Sequence, residues 1–224
     1  MKSQRASPLL RALQEKGVPM RLREWQAGEL LFAPDDPADN LFLVQTGFVR
    51  LYRLTETGKE VLLRWCGSGD VFGEESLTTH ARRHFAEGIT KGKAWQVNAQ
   101  QLLMVAEQDG SLKTALLFAL HEAARMTEEV VASVAEEMPR RLVKALRWLA
   151  EKANPESPDG LIALPLTHAQ LASLIGTSRE CVTVHLKPLR QAGLLISKRG
   201  KLLLWLPSLR QGRNEGEGWI TLSR

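Results

Sequence analysis

The chain has 224 residues, of which 44% are hydrophobic and 25% are charged. This composition excludes an intrinsically disordered or collagen-like chain, and the length suits one large domain or two small ones. Two cysteines are too few for a disulfide framework or a four-cysteine zinc site, and no apolar run could span a bilayer. The first residues lack the apolar stretch of a signal peptide, so we expect a cytoplasmic protein with no membrane partner.

The charge is divided unevenly along the chain. Residues 1–138 carry 16 Lys and Arg against 19 Asp and Glu, a balance of −3, whereas residues 139–224 carry 14 against 6, a balance of +8. A basic C-terminal part indicates contact with a polyanion; an uneven but merely solvated surface is the alternative.

The N-terminal half predicts a short helix followed by a β-rich domain. Within residues 1–20, Leu9, Leu10 and Leu13 share one side of a predicted amphipathic helix that ends at Gly17. Between residues 22 and 104, short apolar or alternating runs are separated by turn residues, which predicts an antiparallel sandwich or barrel.

A long helix is predicted from Leu112 onward, because apolar residues recur there at steps of three and four. The predicted seam consists of Leu116, Leu120, Ala123, Thr127, Val131 (or Val130), Val134 and Met138. Such a helix would be about 40 Å long, more than a barrel of roughly 100 residues can cover, so we predict packing against the same helix of a second copy. Packing on the chain's own barrel is the alternative. Pro139 suits the first turn of the next helix and marks a hinge between domains.

Residues 167–188 predict two helices joined by a tight turn. Thr167 with Gln170 forms a capping box, Gly176 supplies the turn, and Thr177 with Glu180 forms a second capping box. This arrangement predicts a helix-turn-helix, whose second helix enters the major groove of DNA; a purely structural helical hairpin is the alternative.

The predicted DNA contacts divide into base edges and phosphates. Arg179 can bind guanine with two hydrogen bonds, Glu180 can accept from a cytosine amine, and Thr183 is expected near a base edge or a phosphate. Pro188 removes one backbone hydrogen bond and is expected to bend the helix or end it early. The residues expected on phosphates are Thr167, Ser178, Lys187 and three cations of a predicted β-hairpin turn, Lys198, Arg199 and Lys201. A solvated hairpin tip is the alternative for that turn.

These segments, in this order, resemble the catabolite activator/FNR (CRP/FNR) superfamily of bacterial transcription regulators over nearly the whole chain. The matching stretches are GELLFAPDDPADNLFLVQTGFVRLYR, GSGDVFGEESL, the long helix and IGTSRECV. The resemblance implies an α+β chain with an N-terminal cyclic-nucleotide-binding-type β-roll (jelly roll), a long dimerisation helix and a C-terminal winged helix-turn-helix. The implied boundaries are 1–108 for the sensor roll with its N-terminal helix, 109–138 for the dimerisation helix and 139–224 for the DNA-binding domain. Val184 falls at the family's third base-reading position, usually arginine, where it could contact a thymine methyl group.

The resemblance also implies an effector pocket, but with departures from the cAMP-binding members. The pocket candidates are Gly73, Glu74, Arg83, His84, Phe85, Thr127 and Glu128. Glu74 fits the carboxylate that binds the ribose hydroxyl, whereas the Arg-Ser-Ala run expected ten residues later is His84, Phe85 and Ala86. Arg83 lies one place early, and a one-residue slip in a strand reverses the side-chain face. A buried phosphate without a cation or hydroxyl is costly, so we do not expect control by cAMP.

No cofactor is expected. The iron–sulfur cluster of FNR-like members needs several N-terminal cysteines, and the first cysteine here is Cys66. His80, His84, His121 and Cys66 show no metal-ligand spacing, so no metal site is predicted.

The sequence thus predicts a homodimeric, sequence-specific transcription regulator that binds palindromic double-stranded DNA and contacts RNA polymerase. The alternative is a ligand-gated member of the same family that responds to cAMP or another small molecule through the roll. A nucleotide-sensing interaction module without DNA function is less favoured. An enzyme is not expected, because no catalytic triad or phosphate-binding loop is present.

Overall fold

The computed structural model describes residues 7–133, 135–152, 161–164, 166–193, 195–198 and 201–205, with only the backbone for 161–163, 196–198, 201 and 203–205. The chain folds as two compact units, Met1–Val131 and Ala132–Arg224. No helix among the described residues is long and apolar enough to cross a membrane.

The first unit is an antiparallel β-roll flanked by helices, as the spacing of short apolar runs predicts. Its elements are α1 (Pro8–Glu15), β1 (Met20–Trp25), β2 (Leu30–Phe32), β3 (Asn40–Thr46), β4 (Val49–Leu54), β5 (Glu60–Cys66), β6 (Val71–Phe72), a 3₁₀ turn (Glu74–Leu77), β7 (Phe85–Gly88), β8 (Gly92–Asn98), α2 (Ala99–Gln108) and α3 (Gly110–Ser133). The strands form two four-stranded sheets, in the orders β1-β8-β3-β6 and β2-β7-β4-β5.

The roll is filled by aromatic side chains. Phe42 and Phe72 stack with ring centroids 4.8 Å apart, and Phe32 packs on both. Trp25 is buried, and its indole N–H donates to the carbonyl of Thr90 at 2.8 Å, so burial leaves no unpaired donor on it. A Cβ at Gly92 would lie 2.4 Å from this indole, so only glycine fits at the start of β8.

Helix α1 forms where the sequence predicts it. Pro8 occupies its first turn, Leu9 and Leu13 are buried, and Gly17 takes the left-handed conformation just beyond the end. These leucines share one apolar cluster with Leu112 and Leu116 of α3.

The position of this cluster corrects the predicted seam of the long helix. Leu116 and Ala123 are buried in the chain's own core, so these two predicted seam residues are not available to a partner, whereas Leu120 packs only partly against that core. Leu117, which the sequence did not assign to the seam, is 58% exposed, and Val131, which it did, is 57% exposed. With the exposed Ala124, they repeat every seven residues along α3. Half-buried Leu120 and Thr127 lie between them, and Val134 lies outside the described residues.

The long helix is also shorter than predicted. It ends at Ser133, and a separate helix α4 (Met138–Lys152) begins with Pro139 in its first turn. Proline lacks the N–H that a helix interior needs, so its place at a helix start follows from its chemistry.

The second unit is a helix-turn-helix with a three-stranded sheet. After α4 come β9 (Leu161–Leu164), α5 (His168–Ile175), α6 (Arg179–Gln191), β10 (Leu195–Lys198) and β11 (Lys201–Trp205), and the antiparallel strand order is β10-β11-β9. Its core residues are Leu142, Leu146, Leu149, Leu171, Leu174, Val182 and Leu186, all of them buried. The buried positions of α6 therefore lie four residues apart, which leaves the opposite face to solvent.

Candidate nucleic-acid interface

Helix α5 begins with the capping box that the sequence predicts. The Thr167 hydroxyl accepts from the Gln170 backbone N–H at 3.2 Å, and the Gln170 side chain accepts from the Thr167 N–H at 2.9 Å. Gly176 ends the helix with φ +67°, in the left-handed region that glycine adopts without strain. Both features of the predicted turn are confirmed.

The predicted cap of α6 is wrong by one residue. Ser178, not Thr177, occupies the cap, and its hydroxyl accepts from the Cys181 backbone N–H at 3.1 Å. A capping oxygen reaches the N–H three residues on, so Glu180 is too near to close a box with Ser178. Glu180 instead lies in the first turn, where its charge suits the positive end of the helix dipole.

All the residues of α6 that the sequence assigns to DNA project from its solvent face. Arg179, Glu180, Thr183, Val184 and Lys187 are exposed. Val184 is 65% exposed. A single exposed apolar side chain is common on a protein surface, and contact with an apolar group of a partner would remove it from water. Pro188 does not end the helix early, because α6 continues to Gln191.

The exposed face is tied to α5 by a chain of hydrogen bonds that sequence patterns do not reveal. Arg190 Nη2 lies 2.7 Å from His168 Nε2, and His168 Nδ1 lies 2.8 Å from Thr183 Oγ1. The Thr183 hydroxyl in turn donates to the Arg179 carbonyl at 2.8 Å. Partial burial, with the charges of Arg190 and Arg179, lowers the pKa of His168 from its ordinary value.

The remaining phosphate candidates lie at two other positions. Thr167 and Ser178 are exposed at the N-terminal ends of α5 and α6, where backbone N–H groups favour an anion. Lys198 and Lys201 pair across the end of the β10–β11 hairpin. Their side chains, and the whole of Arg199, lie outside the described residues.

In the first unit, the carboxylate predicted to bind a ribose already has a partner. Gly73 takes φ +76° before the 3₁₀ turn, and Glu74 pairs with Arg64 at 2.9 Å. Arg64 is only 3% exposed. It lies on β5 inside an apolar run, and a charge in such a run is the sequence signal for a buried ion pair.

A second buried arginine, Arg82, occupies the same region and was not predicted. It donates to the carbonyls of Gly73 and Asn40 at 3.0 and 2.7 Å and pairs with Glu75 at 3.2 Å. Its guanidinium stacks over Phe32, 4.3 Å from the ring centroid. Arg82 thus joins a backbone turn to the aromatic core.

The other pocket candidates differ in their exposure and in their contacts. Arg83 is exposed, and its place in the pocket stays a prediction. Phe85 stacks on Tyr52 at 5.0 Å, while the next residue on β7, Ala86, faces the core, because strand side chains alternate.

Two helix residues and one histidine complete the predicted pocket. The Thr127 hydroxyl donates to the Ala123 carbonyl within α3, and Glu128 is exposed. His84 lies edge-on to Phe32 and 3.9 Å from Glu75, and burial lowers its pKa.

The described residues include neither a reactive core thiol nor a metal site. Burial raises the pKa of the Cys66 thiol to about 12, so this cysteine is an inert core residue. Among the described residues, no cluster of His, Cys, Asp or Glu could hold a metal ion.

Family models match both units. Residues 22–109 match the cyclic nucleotide-binding domain, and residues 140–211 match the Crp-like helix-turn-helix domain.

Known proteins resemble the chain over nearly its full length. The global nitrogen regulator of Synechococcus elongatus is 28% identical over 89% of this chain and 92% of its own. The transcriptional regulator SdrP of Thermus thermophilus is 30% identical over 87% of this chain and 95% of its own. The structure of FixK2 from Bradyrhizobium japonicum superposes with a TM-score of 0.73 at 23% identity, covering 87% of this chain and 97% of that one, which shows a shared fold.

Proposed function

The chain belongs to the CRP/FNR family of transcription regulators, and on this premise we propose that it binds palindromic operators as a homodimer without control by cAMP. As a family member it is a DNA-binding regulator with a helix-turn-helix domain. The observation that carries the proposal is the solvent face of α6. Five side chains that can contact DNA project from this face, opposite buried Val182 and Leu186. They are Arg179, Glu180, Thr183, Val184 and Lys187.

The proposed base contacts lie at the start of α6. Arg179 binds guanine O6 and N7, Glu180 accepts from a cytosine amine, and Val184 contacts a thymine methyl group. Lys187, Thr167 and Ser178 bind phosphates, together with the hairpin residues Lys198, Arg199 and Lys201. Phosphate contacts fix the position of the protein and base contacts select the sequence.

The proposed dimer pairs α3 with the same helix of a second copy. Leu117, Ala124 and Val131 form an exposed apolar row with a seven-residue repeat, which suits a two-helix seam. Two-fold symmetry then requires an operator with two related half-sites about one helical turn apart.

Independence from cAMP is supported by the ion pairs inside the roll. Glu74 is paired with Arg64, and Arg82 with Glu75 and two backbone carbonyls, so a ribose hydroxyl or a cyclic phosphate would have to share or displace these partners. Breaking either pair to admit a nucleotide would leave a buried charge uncompensated, which costs several kcal/mol.

We further propose that the protein acts in the cytoplasm, where the chromosome lies, and contacts RNA polymerase at its promoters. No enzymatic activity, metal or cofactor is part of the proposal. Its effect on transcription follows from where the operator lies relative to the promoter.

Selection of duplexes from a random pool, with and without cAMP, tests the proposal. We expect one palindromic consensus, recovered equally under both conditions and protected symmetrically in a footprint. Recovery without sequence preference would overturn DNA recognition by α6. Recovery only in the presence of cAMP would overturn the proposed independence from cAMP.

A further inference from the structure

The hydroxyl of Thr183 has no proton left for DNA. Its O–H donates to the Arg179 carbonyl one helical turn earlier, at 2.8 Å. Threonine in a helix commonly forms this bond, and a hydroxyl has a single proton to give.

One of the two acceptor lone pairs of the same hydroxyl is used by His168. Arginine can only donate, so Arg190 Nη2, 2.7 Å away, donates to His168 Nε2. The ring proton of a neutral His168 then lies on Nδ1, which donates to Thr183 Oγ1 at 2.8 Å. The lowered pKa of His168 favours this neutral form. The three hydrogen bonds therefore form one chain of donors, in which Arg190 donates to His168, His168 donates to Thr183 and Thr183 donates to the Arg179 carbonyl.

With its proton and one lone pair engaged inside the protein, the Thr183 hydroxyl can offer a base at most one lone pair, whereas the methyl group of this exposed side chain is wholly available. In the major groove, the only apolar group on a base edge is the C5 methyl of thymine. Val184, the next residue, is also exposed and apolar, so two neighbouring positions of α6 present methyl groups.

We propose that Thr183 selects thymine through its methyl group, and that His168 is the positioning residue that keeps its hydroxyl turned into the protein. This inference rests on the proposed function, because it requires α6 to lie in the major groove. It assigns His168, on the other helix of the motif, a role in base selection without a contact to DNA.

The matched substitutions Thr183→Val and Thr183→Ser separate the two parts of the side chain. Valine keeps the methyl group and serine keeps the hydroxyl, so each removes one candidate for base contact. The probe is the selected operator duplex with deoxyuridine in place of thymine, one position at a time, which removes only the C5 methyl.

For the wild-type protein, we expect replacement of one thymine per half-site to weaken binding about fourfold, the factor for loss of one buried methyl group. Thr183→Val should keep that ratio and Thr183→Ser should reduce it to about one. Val184→Ala is the control, since it should abolish uracil sensitivity at a different position only.

The role of His168 is tested in two backgrounds. His168→Ala frees the Thr183 hydroxyl to turn outward and should lower the thymine-to-uracil ratio at the Thr183 position. In the Thr183→Val background, the same substitution should leave the ratio unchanged, because valine has no hydroxyl to reorient. A general loss of structure would instead lower binding to every duplex in both backgrounds, and would overturn the positioning role.

Two outcomes overturn the inference without touching the proposed function. One is a selected palindrome whose binding is insensitive to uracil at every position. The other is loss of base preference in Thr183→Val as large as in Thr183→Ser, which would assign the reading to the hydroxyl. Failure to select any sequence would instead overturn the proposed function itself.

Discussion

Arg179 and Lys187 project from the same solvent face of α6, and their different chemistry predicts different losses on substitution. Arg179→Ala should remove discrimination at one base pair per half-site, worth about 1–3 kcal/mol, because it removes a two-bond contact with guanine. Lys187→Ala should weaken binding to all sequences alike and lower the slope of log affinity against log salt by about one for each lost phosphate contact. Titrations of operator and single-base variants at several salt concentrations measure both. Equal losses for the two variants on every sequence would contradict these roles.

The partly buried environment of His84 predicts that the stability of the protein depends on pH. Burial lowers its pKa from the ordinary value of 6.5; Glu75 and Glu74 raise it, and Arg64 and Arg82 lower it further. The folded state therefore binds this proton less readily than the unfolded state. The free energy of unfolding should be highest above pH 6.5 and fall as the pH falls from 6.5 towards the folded pKa.

Denaturant unfolding between pH 5 and 8 measures this effect. His84→Gln should make the profile less steep, with the contribution of His168 remaining, whereas the matched variant His121→Gln, at an exposed position of α3, should leave it unchanged. A profile of the same steepness in His84→Gln and wild type would contradict the assignment.

For individual side chains, sequence spacing predicted the positions that follow local rules and missed those that depend on contacts between distant segments. Glu74 was placed by its position after Gly73, but its partner Arg64 comes from another strand, ten residues earlier in the chain. The sequence pattern assigned Arg83 to the pocket and not its neighbour Arg82. Side chains alternate in direction along an extended segment, but the sequence alone does not show which of two adjacent arginines points inward. The bond between His168 and Thr183 likewise depends on how two helices pack.

The N-terminal cap of helix α6 can be tested by substitution of Ser178 and of its neighbour Thr177. Ser178→Ala should lower the free energy of unfolding of the second unit by about 1 kcal/mol, because it leaves the Cys181 N–H without its side-chain acceptor. Thr177→Ala should change it by less than about 0.5 kcal/mol. Thermal or denaturant unfolding of the two variants distinguishes them, and a larger loss for Thr177→Ala would restore the cap that the sequence predicted.

Adjacent leucines on α3 test which face of the helix meets a partner. Leu116→Ala should lower the free energy of unfolding by about 2–5 kcal/mol, since Leu116 is buried in the chain's own core. Leu117→Ala should instead raise the dimer dissociation constant about tenfold or more, since it truncates an exposed apolar residue of the proposed seam.

Sedimentation equilibrium and denaturant unfolding measure the two quantities on both variants. Dimer weakening by Leu116→Ala with a fully folded chain would contradict the corrected seam.

The periodicity of α3 and the caps of α5 predicted where helices lie, because both signals are local. The choice of the buried face was not predictable, since residues at steps of three and four line two faces of α3, and α1 packs on one of them. The cap of α6 was ambiguous for a similar reason: Thr177 and Ser178 are both good caps, and Glu180 mimicked a capping box with the wrong one. The strand order of the roll was beyond single-sequence reasoning, because it depends on pairing between distant segments.

At the scale of the whole molecule, the net charge of +5 averages −3 on residues 1–138 and +8 on residues 139–224. The helix-turn-helix lies in the basic part, and the roll, with its internal ion pairs, lies in the acidic part. DNA affinity should therefore fall steeply with salt, whereas the stability of the roll should depend on salt only weakly, because buried pairs are poorly screened.

Two-fold recognition of the operator without control by cAMP can be measured by titration of the selected duplex. Fluorescence anisotropy would compare the intact palindrome with a duplex in which one half-site is scrambled, each with and without saturating cAMP. We expect the scrambled duplex to bind at least about 100-fold more weakly and cAMP to change neither affinity by more than about twofold. Equal binding of the two duplexes would contradict two-fold recognition, and tightening by cAMP of tenfold or more would contradict independence from cAMP.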